Sequence, residues 1–475
     1  MANVADTAAA PIEHPGEDQS NELRRRLQAV EPLCMRTFTP SLAVFARSQG
    51  SYHYTAEGRK LADFTSGVLV ANLGHNPKRW WQRALGYLNL NTSALAGKPD
   101  TAKGAEHDYI SAVPLTAYNG ATAVEIEASE RLVALMRKQR GGARAEQVLW
   151  AASGSEAIQK ALWCAMDRRP GENMILATRF GFHGKKGLAG AVTGSETDAE
   201  RDARVRFIGF PREECISLER RKQPLDLTKY KQELDGLWRE LGSKICCLIT
   251  EPYLGGGGSF HPQKEYMQLL EAFCREHDII LIFDEVQANF GRTGELFAFT
   301  HYGIEPDITV LGKGLGNGVA VSAAVGRADL FANMHYGEGS DTWSGNPLSS
   351  AAVLATLDEF ESTDVIGQGR ELAKVIEAGL VKLGTLPIVA HVRGEGLVWG
   401  IECAGVGTST AGEIANACVK ACYAGDDQGR AIHLLGPLAG KVIRVSPPLT
   451  MPVAEARDYL EAMYGIFKQV GQEAS

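Results

Sequence analysis

Three polar residues follow short apolar runs in the middle of this 475-residue chain. Glu251, Asp284 and Lys313 each stand at the end of such a run, Lys313 after one glycine. Apolar runs of strand length that are bounded by polar residues and glycines predict buried strands. Because ligands of open α/β sheets bind at the carboxyl ends of the strands, we expect these side chains to converge on one crevice.

Asp284 is a carboxylate at the rim of a predicted buried strand, where it needs a partner. The ring nitrogen of pyridoxal phosphate (PLP) is one such partner, because a carboxylate beside it keeps the ring protonated and able to accept electrons. Taken alone, an aspartate in this position is more typical of a helix cap or a structural ion pair. The interpretation of Asp284 therefore depends on its neighbours.

Lys313 is flanked by glycines at 312, 314, 316 and 318. A lysine in such a cramped turn is desolvated, which lowers its pKa and frees its amine to attack an aldehyde. A phosphate-cradling loop is the competing interpretation, but the required Gly-x-x-x-x-Gly-Lys-Ser/Thr pattern is absent because Gly314 follows the lysine. The glycines from 314 to 318 also lack the dinucleotide-binding spacing.

A phosphate site is predicted where Ser153, Gly154, Ser155 and Glu156 open a helical pattern. Ser153 and Glu156 have the spacing of a capping box, and a helix that begins in this way presents free N–H groups to an anion. Capping boxes are common, so the motif gains weight only beside Asp284 and Lys313. Phe182 and His183 follow another predicted strand. Phe182 could stack on a ring or pack in the core, and His183 fits a structural hydrogen bond better than catalysis.

The elements that must position these residues alternate between helical and strand-like patterns from about 120 to 330. Such alternation predicts an α/β fold with a mostly parallel sheet that is covered by helices on both faces. A hairpin is predicted at 51–64, and helices at 125–137, 156–166 and 348–360. The strand candidates are 148–151, 174–177, 205–210, 245–250, 279–283 and 308–311.

Composition and charge exclude several classes of protein. A net charge of -8 argues against a broad nucleic-acid interface. The N-terminal residues lack the pattern of a secretory signal, and no apolar run reaches the roughly 18 residues that span a bilayer. We therefore expect a soluble, cytoplasmic protein with no membrane partner. The nine cysteines have neither disulfide-framework nor zinc spacing, so we expect buried thiols and no metal site.

In these motifs the chain resembles the class III (ω-type) aminotransferases of PLP fold type I, over most of its length from Leu61 to Leu449. The resemblance implies a large domain with a central mostly parallel sheet, at 76–346. It implies a smaller α+β domain formed by 31–75 and 347–475, and residues 1–30 are expected to be a flexible N-terminal extension. The matching segments are 63–67 with 74–75, 153–157, 182–184, 251–252, 284–294, 306–318, 342–347, 393–396 and 444–449.

The resemblance also implies a role for each cofactor-binding residue. Lys313 would carry PLP as a Schiff base and move the proton, and Asp284 would pair with the ring nitrogen. Gln287 would approach the ring hydroxyl, Phe182 would stack on the ring, and Gly154-Ser155 would hold the phosphate. Thr342 would reach the phosphate of the neighbouring subunit, which implies a homodimer, or a dimer of dimers, with shared active sites.

Substrate preference depends on where the chain departs from the family. Arg444 matches an arginine that binds a substrate carboxylate, and a planar guanidinium suits that task; Arg393 is more typical of a residue that braces the small domain. Gly256 replaces a glutamate that neutralises the arginine in members that use 2-oxoglutarate, so Arg444 should stay available to a small 2-oxo acid such as pyruvate. Val68 replaces a tyrosine of ornithine-type members, while Asn289 and Gly312 also differ from the usual residues.

The sequence thus predicts a transaminase that moves an amino group from an amine or amino acid to a small 2-oxo acid by a ping-pong cycle. Racemase, aminomutase, decarboxylase and lyase reactions with the same cofactor stay open, because sequence does not show which bond stands perpendicular to the ring. A nicotinamide-dependent oxidoreductase is disfavoured because the Gly-x-Gly-x-x-Gly turn is missing. A binding or scaffold protein would have no need of the intact lysine, aspartate and phosphate elements.

Overall fold

The fold is described from a computed structural model, which covers residues 12–95, 109–118, 120–169, 171–198 and 201–474. Its α-helices are α1 (Asp18–Val30), α2 (Ser66–Leu69), α3 (Lys78–Tyr87), α4 (Ala123–Arg137), α5 (Gly154–Asp167), α6 (Gly187–Ala191), α7 (Leu218–Arg221), α8 (Thr228–Leu241), α9 (Lys264–Glu276), α10 (Ala298–Tyr302), α11 (Ala328–Phe331), α12 (Pro347–Ser362), α13 (Val365–Leu383), α14 (Ala411–Ala424) and α15 (Val453–Ala474). Short 3-10 turns are found at Leu33–Met35, Thr92–Leu95, Gly242–Lys244 and Lys313–Leu315.

The strands form three sheets among the described residues. They are β1 (Arg47–Gln49), β2 (Tyr52–Tyr54), β3 (Lys60–Asp63), β4 (Gln147–Ala151), β5 (Met174–Thr178), β6 (Val205–Ile208), β7 (Ile245–Thr250), β8 (Ile280–Asp284), β9 (Ile308–Leu311), β10 (Ser322–Gly326), β11 (Val389–Glu395), β12 (Val398–Cys403), β13 (Ala431–His433) and β14 (Val442–Val445). The predicted strands and the hairpin are confirmed, with ends that shift by one or two residues.

The largest sheet has the order β4-β10-β9-β8-β7-β5-β6. Strands β9, β8, β7, β5 and β6 run parallel, and β10 pairs antiparallel with both β4 and β9. Alternate residues of a strand point to opposite faces of its sheet. Accordingly Ile280 and Ile282 pack in one core with α5, whereas Leu281 and Phe283 pack in another with α9. The predicted α/β fold, with helices on both faces of a mostly parallel sheet, is confirmed.

Two smaller sheets combine the two ends of the chain. The first has the order β1-β2-β3-β13, and the second is β11-β12-β14. The helices α13, α14 and α15 pack with these strands around Trp399, which is fully buried. We therefore retain, as a proposal, the predicted division of the chain into a small domain, formed by 31–75 and 347–475, and a large domain, formed by 76–346. Helix α12 links the two, because it packs on α3 and α4 and contributes residues to both cores.

The N-terminal segment departs from the predicted flexible extension. Residues 1–11 lie outside the described part of the chain, but α1 is a docked helix in which Arg24 is buried. Arg24 donates hydrogen bonds to Glu17 (2.7 Å) and Tyr423 (3.0 Å), and the Arg59 guanidinium also pairs with Glu17. The expectation failed because Arg24 and Glu17 share a partner, Tyr423, that comes from the opposite end of the chain, which a local sequence pattern does not show.

Two further expectations concern the cysteines and membrane-spanning helices. Eight of the nine cysteines are buried free thiols as expected, whereas Cys34 is exposed. No helix in the described part of the chain combines the length and the apolarity that a membrane span requires.

The buried ion pair of α1 gives a first testable prediction. We expect Arg24→Met to weaken the docking of α1 by about 1–3 kcal/mol, because Glu17 then keeps a buried charge with fewer donors. Hydrogen exchange of the amides at 18–30, followed by mass spectrometry, should show faster exchange in this variant. Arg26 is exposed on the same helix, so Arg26→Met is the matched control. Equal exchange in the two variants would contradict the role given to Arg24.

Candidate active site

A cavity of about 270 Å³ opens at the carboxyl end of the large sheet, beside β8 and β9. It combines small residues on one side with charged and aromatic side chains on the others. Its lining consists of Ser153, Gly154, Ser155, Phe182, His183, Gly184, Asp284, Val286, Gln287, Lys313 and Ser322. The structure therefore brings Gly154, Ser155, Phe182, Asp284, Gln287 and Lys313 to one place, as the sequence predicts for a crevice at the strand ends.

The start of α5 forms one wall of the cavity. Ser153 Oγ accepts a hydrogen bond from the Glu156 N–H (3.3 Å), and the Glu156 carboxylate accepts one from the Ser153 N–H (3.0 Å), which confirms the capping box. A Cβ on Gly154 would approach Val286 to 3.1 Å, and one on Gly184 would approach Ser155 Oγ to 2.5 Å. A side chain at 184 has no room, and one at 154 would press on Val286, so the glycines let the backbone of this helix start approach an anion closely.

Asp284 ends β8 and is buried at the base of the cavity. Its Oδ2 lies 2.7 Å from His183 Nδ1, and its Oδ1 accepts a hydrogen bond from the Val286 N–H at 3.0 Å. The structural hydrogen bond predicted for His183 is thus made to Asp284, the predicted partner of the ring nitrogen. A carboxylate held on both oxygens keeps its orientation, which a ring nitrogen partner requires.

Lys313 follows β9 in the left-handed region of backbone space, with φ of 47°. This conformation is uncommon for a residue other than glycine and is found at functional sites. Burial lowers the pKa of Lys313 to about 8, although the negative charges of Asp284 and Glu251 oppose the shift. At pH 7 roughly a tenth of the Lys313 amine is therefore neutral and nucleophilic, a far larger share than for an ordinary lysine.

The residues around Lys313 explain one departure from the family. A Cβ on Gly312 would lie 2.6 Å from Ser322 Oγ, and Asn289 Nδ2 donates a hydrogen bond to the Gly312 carbonyl at 3.1 Å. Ser322 therefore fills the space that a side chain at 312 would need, and Asn289 binds the backbone of Gly312. Ser322 lines the cavity but carries no signal in the sequence, because it lies in the unpredicted antiparallel strand β10.

A chain of hydrogen bonds connects Arg444 with the cavity. Arg444 Nη1 donates to Gln287 Oε1 (2.9 Å), Gln287 Nε2 donates to Glu251 (3.4 Å), and the Phe182 N–H donates to Glu251 (2.8 Å). Burial raises the pKa of the Glu251 carboxyl to about 7. The sequence predicts that Glu251 converges on the crevice with Asp284 and Lys313, but Glu251 is not part of the cavity lining. It instead supports both Gln287 and the backbone of Phe182.

The remaining predicted residues lie outside the cavity lining. Arg444 is buried behind Gln287, and its Nε has no hydrogen-bond partner among the described residues. Val68 is partly exposed in the left-handed turn α2, and Thr342 is exposed in the loop before α12. Arg393 donates to Glu402 (2.6 Å) and to the Gly258 carbonyl (2.8 Å), which agrees with a bracing role in the small domain.

Together these groups fit PLP. A helix start suits its phosphate, a buried carboxylate suits its ring nitrogen, and an aromatic side chain and Val286 line the space between. Val286 and Ser155 already fill the space beside the α-carbons of Gly154 and Gly184, so larger residues at these two positions would crowd this wall of the cavity. A lysine with a lowered pKa completes the set.

Comparisons with known proteins agree with this geometry. The family model described as aminotransferase class-III matches residues 101–467. The chain belongs to the class III aminotransferase family. It is 30% identical to the acetylornithine aminotransferase of Agrobacterium fabrum over 444 residues, which is 91% of this chain and 95% of that protein. It is 25% identical to a probable 4-aminobutyrate aminotransferase of Bacillus subtilis, with 86% and 89% of the two chains covered.

Solved structures share the fold of this class III aminotransferase. The ornithine aminotransferase of Toxoplasma gondii, whose structure shows partial occupancy of PLP, superposes with a TM-score of 0.76 at 21% identity, and 97% of each chain is covered. An engineered thermostable ω-transaminase gives a TM-score of 0.77 at 21% identity over 98% of each chain. The protein has PLP fold type I, and as a member of its family it is a PLP-dependent aminotransferase.

The lowered pKa of Lys313 predicts the pH dependence of cofactor attachment. The neutral amine is the nucleophile, so its fraction rises with pH and is nearly complete above the lysine pKa. We expect the rate at which the cofactor-free enzyme takes up PLP to rise with a midpoint near pH 8 and to level off about one pH unit above it, rather than to have its midpoint at the ordinary lysine pKa of about 10.4. Stopped-flow absorbance measures this rate.

Arg444→Gln is the control for this profile. The positive charge of Arg444 contributes to the lowering of the Lys313 pKa, so its removal should move the midpoint to higher pH. A wild-type profile that still rises at pH 10 would contradict the buried, neutral state of Lys313.

Proposed function

We propose that this enzyme transfers an amino group from an amine or amino acid to a small 2-oxo acid, with pyruvate preferred over 2-oxoglutarate, in a ping-pong cycle. The observation that carries the proposal is the partner of Arg444. This buried guanidinium is bonded to the neutral amide of Gln287 and not to a carboxylate among the described residues.

Bound PLP supplies an aldehyde that condenses with primary amines and a pyridinium ring that stabilises negative charge on the adjacent carbon. The side chains around it have separate tasks in our proposal. Lys313 Nζ would hold the cofactor as a Schiff base, and its amine would accept the proton of the substrate carbon and pass it on. Asp284, held by His183, would face the ring nitrogen. Gln287 approaches the ring hydroxyl, and Phe182 covers one face of the ring.

Arg444 is the proposed contact for the carboxylate of the 2-oxo acid. A guanidinium binds both oxygens of a carboxylate, and a neutral amide is easier to displace from it than a charged glutamate. Burial lowers the pKa of Arg444, which reflects the cost of keeping its charge out of water without a close counter-ion. An incoming carboxylate removes that cost.

The size of the acceptor follows from the charges that face the cavity. Besides Lys313 and the imidazole of His183, no basic side chain is present in its described lining. Arg393 is already paired with Glu402. A second carboxylate, as in 2-oxoglutarate, would enter without a cation of its own, whereas the methyl group of pyruvate needs none.

The amino donor is a primary amine. Relatives of this chain carry names that refer to acetylornithine, 4-aminobutyrate and 5-aminovalerate. These compounds have a primary amine at the end of a carbon chain that bears a carboxylate. We propose a donor of this class, whose carboxylate would use Arg444 in the other half of the cycle.

We also propose that the active enzyme is a homodimer, or a dimer of dimers, in which Thr342 approaches the phosphate of the neighbouring subunit. Thr342 is exposed in this chain, and the adjacent Trp343 is 64% exposed. The exposure of Thr342 allows its side chain to reach another chain.

Acceptor preference tests the proposal. We expect kcat/KM for pyruvate to exceed that for 2-oxoglutarate by at least about tenfold, and Arg444→Gln to lower kcat/KM for pyruvate by about 30- to 150-fold, the loss of one charge-assisted interaction of about 2–3 kcal/mol. The half-reaction with an uncharged primary amine should keep its rate, because that amine does not need Arg444. Coupled assays and single-turnover absorbance measure the two quantities.

Two substitutions at position 256 distinguish the effect of an added negative charge from the effect of added side-chain volume. A Cβ on Gly256 would lie 3.0 Å from Phe182 Cβ, so Gly256→Ala reports the effect of bulk alone. Gly256→Glu adds the carboxylate that other family members carry, and we expect it to lower the ratio of pyruvate to 2-oxoglutarate activity well below that of Gly256→Ala. A wild-type preference for 2-oxoglutarate would refute the proposal.

A further inference from the structure

A second buried polar cluster lies in the sheet β1-β2-β3-β13. The register pairs His53 with Leu61 and His433 with Asp63. Because Leu61 and Asp63 are two residues apart on one strand, both point to the same face of the sheet. The fold therefore places His53, Asp63 and His433 side by side on three adjacent strands, although they are up to 380 positions apart in sequence.

The three side chains have the arrangement of metal ligands. One possible ligand atom from each lies within 4.8 Å of the other two, and all three residues are buried. His53 Nε2 is 3.4 Å from Asp63 Oδ2. In the part of the chain that the structure covers, the buried His53 Nε2 and His433 Nδ1 make no hydrogen bond. Two ring nitrogens thus face a carboxylate with their bonding capacity unused.

Surrounding groups hold these ligands in orientation. Ser48 Oγ lies 2.7 Å from His53 Nδ1, which directs the opposite nitrogen towards the carboxylate. Asp63 Oδ1 accepts hydrogen bonds from the Thr65 N–H (2.8 Å) and hydroxyl (2.7 Å). His75 Nε2 lies 2.7 Å from Asp63 Oδ2. Hydrogen bonds of this kind orient histidine and carboxylate ligands in metal sites.

We propose that His53, Asp63 and His433 bind a divalent transition metal ion such as Zn²⁺. Imidazole nitrogens and a carboxylate oxygen are ordinary zinc ligands at about 2.0–2.2 Å, and at that distance tetrahedral ligand atoms are about 3.4 Å apart. The His53–Asp63 separation has this value, and His433, whose ligand atom lies within 4.8 Å of the other two, reaches it by a side-chain movement of at most about 1.4 Å. A water molecule would complete four ligands.

The site has a route to solvent and a structural role. His75 lines a surface cavity of about 300 Å³ together with Asn76 and Trp81. None of the three ligands lines the cavity of Lys313. The metal ion would join β2 and β3, from the N-terminal part of the chain, to β13 near its end. It stabilises the small domain and takes no part in amino transfer.

Zinc binding to the full PLP-loaded chain tests the inference. After treatment with a chelator, the protein is titrated with Zn²⁺ alone by calorimetry, and bound zinc is counted by mass spectrometry after dialysis. We expect one zinc ion per chain and a higher melting temperature with zinc. Ser48→Ala should weaken zinc binding by roughly 10- to 100-fold, as expected for a residue that orients a ligand. His433→Gln, which removes a ligand, should weaken it further.

His335→Gln is the matched control, because His335 is exposed and distant in sequence from the cluster. Its zinc affinity should equal that of the wild type. If His433→Gln does not fold, the wild-type chain loaded with Co²⁺ provides the second measurement, since tetrahedral nitrogen and oxygen ligands give an intense visible band. Substoichiometric zinc, binding that survives His433→Gln, or a weak octahedral cobalt spectrum would each overturn the inference.

Discussion

A carboxylate and an amine are buried at the ends of two neighbouring strands, and the rest of the site depends on the cost of keeping them there. Asp284 and Lys313 follow β8 and β9, which are adjacent and parallel, so the sheet itself aligns them on one cavity. Removal of such groups from water is tolerated when each has a partner. His183 and the Val286 N–H hold Asp284, while burial shifts Lys313 towards its neutral form.

The same constraint explains how the small domain contributes. Arg444 lies on β14, and its guanidinium reaches Gln287 at the cavity of the large domain. The two units are therefore linked through a buried charge that has no bonded carboxylate among the described residues and that, in our proposal, gains one when the substrate binds. The substrate, in this view, supplies the missing partner of Arg444, much as the cofactor supplies the partner of Asp284.

Local sequence patterns were enough to predict the elements that position the cofactor. The strands of the large sheet have apolar runs of the right length, and the capping box at Ser153 is contained within four residues. The docking of α1, the insertion of β10 and the contact of Gln287 with Arg444 were not predicted, because they join segments far apart in the chain. The His53 cluster was missed for the same reason, since its residues have no metal-binding spacing and meet only through strand pairing.

The central claim is that Lys313 carries the cofactor. Reduction of the PLP-loaded enzyme with borohydride fixes the cofactor to the amine that holds it, and peptide mass spectrometry then identifies that amine. We predict a single phosphopyridoxyl group on the peptide that contains Lys313. Attachment to another lysine, such as the buried Lys160, or the absence of any modified lysine would contradict the account.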